Sequence, residues 1–197
     1  MPNDVQELLA VTSPVYALPA TGRVVKGFVS VEKIDRSRDI VAPEEFNIKQ
    51  FMAAPVVLVN HRFWKDESGN EVSVGKVLSL HIARLVKVED DDENWGVYDV
   101  DKKELVSRFP KQKIPNLKKG DRGLFVVTEI TNDEIWKRVE HGELSAFSWR
   151  GLVRVEYKAT LGGLQRVLKN IDLFEISLVH IPDNPNASDD YFIEIPL

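Results

Sequence analysis

Short segments rich in β-branched and aromatic residues recur along most of this chain, separated by polar and turn-forming residues. They lie at 24–31, 55–60, 72–88, 123–130, 144–157 and 172–181. Such residues favour extended strands because their side chains pack well on a pleated surface. We therefore expect a mainly β protein with a few flanking helices. With 197 residues and 43% hydrophobic content, the chain is long enough for one domain with a substantial core.

Two stretches depart from this pattern. The N-terminal stretch carries Pro14 and Pro19 and is only weakly patterned, so 1–22 is predicted to be an arm and 23–197 a single domain. The segment around 89–120 contains the acidic run EDDDEN followed by basic clusters. A run of charges of this kind is typical of a solvated surface excursion, so we assign it no chemistry.

Two other segments favour helices over strands. In TNDEIWKRVEHG, Thr131 is placed to cap a helix, Glu134 forms the second half of a capping box, and Gly142 can end the helix. In PEEFNIKQFM, Pro43 is placed to begin a short helix.

The composition narrows the classes of function. The chain has 26 Lys and Arg residues and 31 Asp and Glu residues, which gives a formal net charge of -5. No global positive field therefore exists to attract nucleic acid. The absence of cysteine excludes disulfides, thiolate metal sites and cysteine nucleophiles. The N-terminus has no secretory pattern, and no apolar run approaches the roughly 20 residues of a membrane span. We therefore expect a soluble intracellular protein without a membrane partner.

Four histidines are the candidates for a general base near neutral pH. His141 lies in the last turn of the predicted helix, where an imidazolium interacts favourably with the helix dipole, so a structural role is sufficient to account for it. His81 and His180 lie within strand patterns, where a packed or edge role is more common. His61 follows the apolar strand PVVLVN and opens a polar turn, a place where rigid scaffolds present reactive groups. Apolar strands often end in polar residues, however, so position alone leaves a structural role for His61 equally open.

Ser148, in the segment HGELSAFSWRG, is the candidate nucleophile. Strand alternation places Ser148 and Arg150 on one face and Trp149 on the other. A guanidinium beside a hydroxyl suits acyl transfer because it can stabilise the negative charge of a tetrahedral intermediate. An ordinary strand serine beside a surface arginine explains the same residues, and without further information it is the more common case.

Glu175 lies in the segment NIDLFEISLVHIPDNP, where alternation predicts that it shares a face with Leu173, Ser177 and Val179. A carboxylate among apolar neighbours needs a partner, because burying it unpaired is costly. If the partner were an imidazole, the carboxylate would fix its tautomer and stabilise its cation. A salt bridge with Arg or Lys would be purely structural, and these residues alone leave both readings open.

Three blocks of sequence together resemble the signature blocks of the tailed-phage prohead protease family. They are DRSRDIVAPEEF, then VVLVNHRFW followed by VGKVLSL, then GELSAFSWRG followed by IDLFEISLVHIPDNPNA. The blocks occur in the family's order, and the resemblance covers residues 24–187, most of the chain. The layout is also similar to that of herpesvirus assemblin, in which a second histidine takes the place of the carboxylate.

The resemblance implies a serine endopeptidase with His61 as general base, Ser148 as nucleophile and Glu175 as the third member of the triad. It also implies a partly open antiparallel β-barrel of the herpesvirus-protease type, with a few helices packed outside it. After the nucleophile the family more often carries an aromatic residue and then glycine, whereas this chain has Trp149 and Arg150. We expect backbone amides near Ser148 to hold the oxyanion, with Trp149 and Arg150 contacting the oxyanion or the substrate.

The resemblance further implies a substrate and a place of action. The expected substrate is the scaffold or the major capsid protein inside an immature phage head in the host cytoplasm, with self-processing and without a cofactor. Herpesvirus relatives form dimers, but nothing in this sequence establishes a homodimer.

Two alternatives stay open. One is a catalytically inactive capsid-assembly or binding module with the same fold, which the Trp149 and Arg150 departure favours. The other is a metal-dependent hydrolase, which the lack of an HExxH motif and of a close His/Asp cluster disfavours.

Overall fold

The computed structural model of the protein describes residues 6–20, 22–33, 39–111, 117–160 and 163–180, and for 6–20 only the backbone is described. In this part of the chain the strands are β1 Gln6–Ala20, β2 Gly22–Val31, β3 Asp39–Val41, β4 Val57–Val59, β5 Trp64–Lys65, β6 Glu71–Val72, β7 Gly75–Val88, β8 Asp91–Asp99, β9 Glu104–Pro110, β10 Arg122–Ile130, β11 Ala146–Thr160 and β12 Gly163–Val179. The helical elements are a 3₁₀ turn at Pro43–Glu45 and the helices α1 Ile48–Ala53 and α2 Asp133–Glu140. The predicted β-rich fold is confirmed. Parts of two signature blocks, at 35–38 and 181–187, lie outside the described residues.

Ten strands form one sheet in the order β3-β12-β11-β1-β2-β10-β7-β8-β9, with β4 also paired to β12, and β5 and β6 form a separate two-stranded sheet. Over the described ranges this order is an open path, and no closed barrel is found. The sheet is also not wholly antiparallel, because β3 and β4 pair with β12 in parallel. Parallel pairing needs a long connection, and the chain between β4 and β12 provides it.

The two segments that lack a clear strand pattern in the sequence both contribute strands. β1 runs between β11 and β2, pairing with β11 over its first half and with β2 over its second half. The segment around 89–120 contains the pair β8 and β9 at one edge of the sheet. The division into an arm over 1–22 and one domain over 23–197 stays a prediction.

Two apolar clusters lie against the sheet. The larger one joins Trp149 of β11 and Ile176 of β12 to Ile135 of α2. The smaller one contains Phe28 of β2 and Phe125 of β10, whose rings meet edge to face with centroids 5.3 Å apart. The face of β11 and β12 that carries Trp149 and Ile176 is therefore part of the core, and the opposite face is left for other side chains.

Helix α2 confirms the helix predicted at 131–142, but its cap is one residue later than expected. The side chain of Asn132 accepts a hydrogen bond from the amide of Ile135, while the hydroxyl of Thr131 donates to the carbonyl of Val74. Thr131 is thus engaged in a tertiary contact and does not cap the helix. Gly142 follows the helix with φ of 72°, a conformation that glycine adopts without strain.

The helix predicted to begin at Pro43 is divided into two pieces. Pro43–Glu45 forms a 3₁₀ turn, and α1 begins only after Asn47, whose side chain accepts a hydrogen bond from the amide of Gln50. Phe46 lies between them in an extended conformation and is buried, with a backbone bridge to Ile171. The burial of this phenylalanine against the sheet interrupts the helix.

A β-bulge divides the pairing of β11 and β12. Arg150 lies opposite Glu175, but Gly151 lies opposite Leu173, so Phe174 is the extra residue. A bulge offsets the alternation of side chains on the longer strand. Leu173 accordingly lies in the larger apolar cluster, whereas Glu175 and Arg150 line a cleft. The predicted common face of Leu173 and Glu175 is therefore wrong.

Gly151 is required where the two strands come close at this bulge. A Cβ built on Gly151 would lie 2.6 Å from the carbonyl oxygen of Asp172. Gly151→Ala should therefore lower the free energy of unfolding by about 1–3 kcal/mol, the usual cost of overpacking. Urea unfolding measures this, with Lys158→Ala at an exposed position of the same strand as the control. Equal midpoints for Gly151→Ala and wild type would show that the close approach does not constrain this residue.

Candidate active site

His61 lies at the tip of a tight turn between β4 and the following chain. Asn60 and His61 have φ of 49° and 60°, and Val59 and Arg62 exchange two backbone hydrogen bonds of 3.3 and 3.0 Å. Two consecutive positive φ angles in a two-residue reversal are the geometry of a type I′ turn, which Asn tolerates well at its first central position. Residues other than glycine seldom have positive φ, and backbone strain of this kind is concentrated at functional sites.

The turn is held beside β12 by the parallel pairing of β4. Val57, Leu58 and Val59 lie opposite Ile176, Ser177 and Leu178. The amide of Asn60 then donates to the carbonyl of Leu178 at 2.9 Å, which extends this contact into the turn. The turn therefore places His61 over the part of β12 that carries Glu175.

A closed ring of three hydrogen bonds joins His61, Glu175 and Ser177. Nδ1 of His61 lies 2.5 Å from Oε1 of Glu175. The hydroxyl of Ser177 donates to Oε2 of Glu175 at 2.7 Å and accepts the backbone N–H of His61 at 3.0 Å. Glu175 is 5% exposed and Ser177 is fully buried. The carboxylate is thus paired, as burial requires. Within the described ranges its partners are an imidazole and a hydroxyl, and none is a Lys or Arg.

Ser148 lies one strand away, on the same face as this ring. It is opposite Ser177 in the register of β11 and β12, and directly opposed residues have Cβ atoms only about 5 Å apart. Ser148 is fully buried, and among the residues that the structure describes its Oγ has no hydrogen-bond partner. The structure therefore brings Ser148 beside the residue that contacts His61, but it does not join Ser148 and the imidazole by a hydrogen bond.

Trp149 and Arg150 lie on opposite faces, as alternation predicts. The indole of Trp149 is fully buried and packs edge to face against Phe46, with centroids 5.1 Å apart. The side chain of Trp149 lies in the core and does not line the cleft, so a contact with the oxyanion or substrate would fall to its backbone amide and stays a prediction. Arg150, in contrast, is partly exposed and lines the same cleft as His61 and Glu175.

This cleft has a volume of about 610 Å³ and mixed chemistry. It is lined by apolar, cationic and acidic residues, namely Val56, Leu58, His61, Arg62, Phe63, Lys65, Glu71, Arg150, Phe174 and Glu175. Phe63 and Phe174 are about half exposed, with 47% and 49% of their surface accessible. The cleft can therefore take both apolar and polar parts of a ligand close to the imidazole.

The other histidines have positions or partners that explain them structurally. His141 is the C-cap residue of α2, as expected from its place in the last turn, and Nδ1 of His180 lies 2.9 Å from the carbonyl oxygen of Glu143. His81 is buried in β7, with Nδ1 2.6 Å from Oδ2 of Asp99. This second histidine–carboxylate pair does not line the cleft around His61.

Ser177 and Phe174 contribute to the site without having been predicted to do so. Alternation places Ser177 on the same face as Glu175, and this is the signal in the sequence that could have found it. No comparable signal exists for Phe174, whose exposure in the cleft follows from the bulge.

The described ranges also bear on metal binding and on membrane spanning. No group of three or more His, Cys, Asp or Glu side chains there is arranged to hold a metal ion. None of the helices in these ranges has the length and apolar character needed to span a bilayer.

Comparison with known proteins gives a likeness at the level of the fold. No protein-family model and no curated protein sequence matches this chain. Among solved structures, the fold is similar to that of the bacteriophage T4 capsid assembly protease, gp21, with a TM-score of 0.50. The two sequences are 12% identical, and the match covers 90% of this chain and 99% of that chain. The finding supports a distant prohead protease-like fold and gives no support to the resemblance to herpesvirus assemblin.

Asp99 differs from Glu175 in that one of its carboxylate oxygens accepts hydrogen bonds from the backbone amides of the turn that follows it. Oδ1 of Asp99 accepts the amides of Asp101 and Lys102, each at 2.9 Å. Burial by itself raises the pKa of Asp99, but these amides and the imidazole of His81 outweigh it, so the pKa lies below its ordinary value. The charged form of Asp99 therefore stabilises the fold.

Asp99→Asn should lower the free energy of unfolding by about 1–3 kcal/mol near neutral pH, because it removes a buried acceptor of charge-assisted hydrogen bonds. The contribution of a carboxylate with a lowered pKa is present above its unfolded-state pKa of about 4 and is lost as pH falls through the folded value. The difference between variant and wild type should therefore shrink below about pH 4. Urea unfolding at both pH values checks this, with the exposed Asp92→Asn as control. A difference that stays constant with pH would contradict the assignment.

Proposed function

We propose that this chain is a serine endopeptidase that cleaves the scaffold or the major capsid protein, and itself, during prohead maturation inside the immature phage head. The observation that carries the proposal is the His61 imidazole at a cleft, with Nδ1 held by the buried carboxylate of Glu175. The likeness of the fold to a phage capsid assembly protease supports the same class of reaction.

His61 is suited to act as the general base. When Nδ1 carries the proton and donates it to Glu175, the other ring nitrogen, Nε2, is left unprotonated and can accept a proton. Glu175 then stabilises the imidazolium that forms. Because the carboxylate is almost fully buried, little water competes for this interaction.

Ser148 is the proposed nucleophile. Its Oγ attacks the peptide carbonyl while its proton passes to Nε2 of His61, and His61 returns that proton to the departing amine. Water then hydrolyses the acyl enzyme by the same proton transfers in reverse. Among the described residues the hydroxyl of Ser148 has no hydrogen bond that must be broken before it turns towards the imidazole. Catalytic hydrogen bonds often form only in the complex with substrate.

Arg150 and the backbone amides near Ser148 are proposed to stabilise the oxyanion. Arg150 follows Ser148 by two residues, so the guanidinium extends from the same face of β11. It lines the cleft and has no ion pair with a described residue. A cation placed there favours the negative charge that develops on the carbonyl oxygen.

A second candidate function is a catalytically inactive capsid-assembly or binding module with the same fold. The full burial of Ser148, together with the lack of a hydrogen bond from its Oγ to His61, favours this alternative. The two functions differ in one outcome: the enzyme cuts a capsid or scaffold protein, whereas the module binds it and leaves it intact.

Replacement of the proposed nucleophile tests the enzymatic function. Ser148→Ala should abolish cleavage of co-expressed capsid and scaffold proteins, a loss of at least about 10³-fold, because the proposed mechanism loses the oxygen that forms the acyl enzyme. Gel electrophoresis with mass spectrometry of the fragments measures it. Ser145→Ala is the matched control and should retain activity, because Ser145 is a neighbouring serine that precedes β11 and has no role in the proposed mechanism. Cleavage by Ser148→Ala would overturn the assignment of the nucleophile, and intact substrate with wild type would favour the inactive module.

The three proposed residues should act as a unit. His61→Ala should reduce cleavage as much as Ser148→Ala, and the double variant should be little worse than either, since members of a triad depend on one another. Glu175→Gln should cost less than either, because the imidazole remains in place. Initial cleavage rates measure this series. Rate losses that multiply in the double variant would contradict a shared mechanism.

A further inference from the structure

The hydroxyl of Ser177 contacts two parts of the site at once. It accepts the backbone N–H of His61 and donates to Oε2 of Glu175. A hydroxyl has one proton and two lone pairs, an amide can only donate, and a carboxylate can only accept. The direction of both hydrogen bonds is therefore determined, and the single proton of Ser177 is committed to Glu175.

The first hydrogen bond holds the turn that carries His61. His61 has φ of 60°, a region that costs free energy for a residue with a side chain. Its amide is tied to the side chain of Ser177, while the amide of the preceding Asn60 is tied to the backbone of Leu178. Two consecutive residues of the turn are thus anchored to neighbouring positions of β12, the strand that also carries Glu175.

The second hydrogen bond holds the carboxylate. Oε2 of Glu175 is bonded to Ser177, which leaves Oε1 to face Nδ1 of His61. Arg150 is the cross-strand neighbour of Glu175, but within the described ranges the two form no ion pair. Among the described residues, Ser177 is therefore the partner other than His61 that restrains rotation of the carboxylate.

We infer that Ser177 is a positioning residue of this site. Its hydroxyl holds the imidazole of His61 and the carboxylate of Glu175 in the relative position that proton transfer requires. This inference rests on the proposed function. Ser177 does not line the cleft, so it acts through His61 and Glu175 and not on the substrate. Its Oγ contacts the backbone of His61 and its proton is engaged with Glu175, which makes it unsuited to be the nucleophile.

The arrangement of the pair can be tested without a substrate, by proton NMR of histidine-labelled protein. A ring N–H in a short hydrogen bond to a carboxylate gives a low-field resonance. The described part of the chain has two such pairs, His61 with Glu175 and His81 with Asp99. Ser177→Ala should remove or broaden the His61 resonance and leave that of His81 unchanged. The His81 resonance therefore reports that the variant is folded.

The matched control is Ser30→Ala, which truncates another buried strand serine, 4% exposed, away from the site. Ser177→Thr retains a hydroxyl and should retain the His61 resonance. A His61 resonance in Ser177→Ala that is the same as in Ser30→Ala would overturn the inference and leave Ser177 as a packing residue.

The rate at which Ser148 reacts with a covalent probe tests whether Ser177 affects the proposed nucleophile through His61 and Glu175. A fluorophosphonate probe forms a bond between its phosphorus and the serine oxygen, with loss of fluoride and transfer of the serine proton to the imidazole. The labelling rate of Ser177→Ala should fall roughly 10-fold to 100-fold, as for partners that orient a functional histidine in other sites. Ser30→Ala should label at the wild-type rate.

The two measurements separate the two proposals. Absence of labelling in wild type would overturn the serine protease function, whereas loss of the His61 resonance in Ser177→Ala would still support the positioning role. Labelling of wild type and Ser177→Ala at equal rates would overturn the positioning role and leave the protease function standing.

Discussion

The geometry of this site depends on the hydrogen bonds of one buried carboxylate. Glu175 is nearly inaccessible to solvent, and in such surroundings a charge is stable only where hydrogen bonds replace the water it has lost. His61 and Ser177 supply those hydrogen bonds, one to each carboxylate oxygen. The same interaction that makes the burial of Glu175 tolerable also fixes the ring of His61. One hydrogen bond, between His61 and Glu175, therefore both stabilises the buried charge and positions the proposed base.

The strand pair β11 and β12 serves two purposes because its two faces have different surroundings. One face carries Trp149 and Ile176 into the core, and the other carries Ser148, Ser177 and Glu175. Side chains that alternate along a well-packed strand cannot move independently of the core beneath them. Ser148, Ser177 and Glu175 thus lie on a rigid part of the sheet. His61 lies in a turn that the pairing of β4 with β12 holds beside them.

The two histidine–carboxylate pairs show that the contact alone does not identify a function. His61 with Glu175 and His81 with Asp99 have similar separations of 2.5 and 2.6 Å. The first pair borders a cleft, whereas Asp99 in the second also receives two amides of its own turn. The surroundings, and not the pair itself, distinguish a candidate catalytic group from a structural one.

The sequence by itself determined the β-rich class, the helix at α2 and the candidacy of His61, Ser148 and Glu175, because strand propensity, capping residues and strand ends are local properties. It did not reveal β1 or the parallel pairing of β3 and β4 with β12, which depend on contacts between segments far apart along the chain. The tertiary structure also decided the bulge at Gly151, the ring through Ser177 and the burial of the Trp149 indole. Register and bulges follow from how two strands fit against each other, and neither strand carries that information alone.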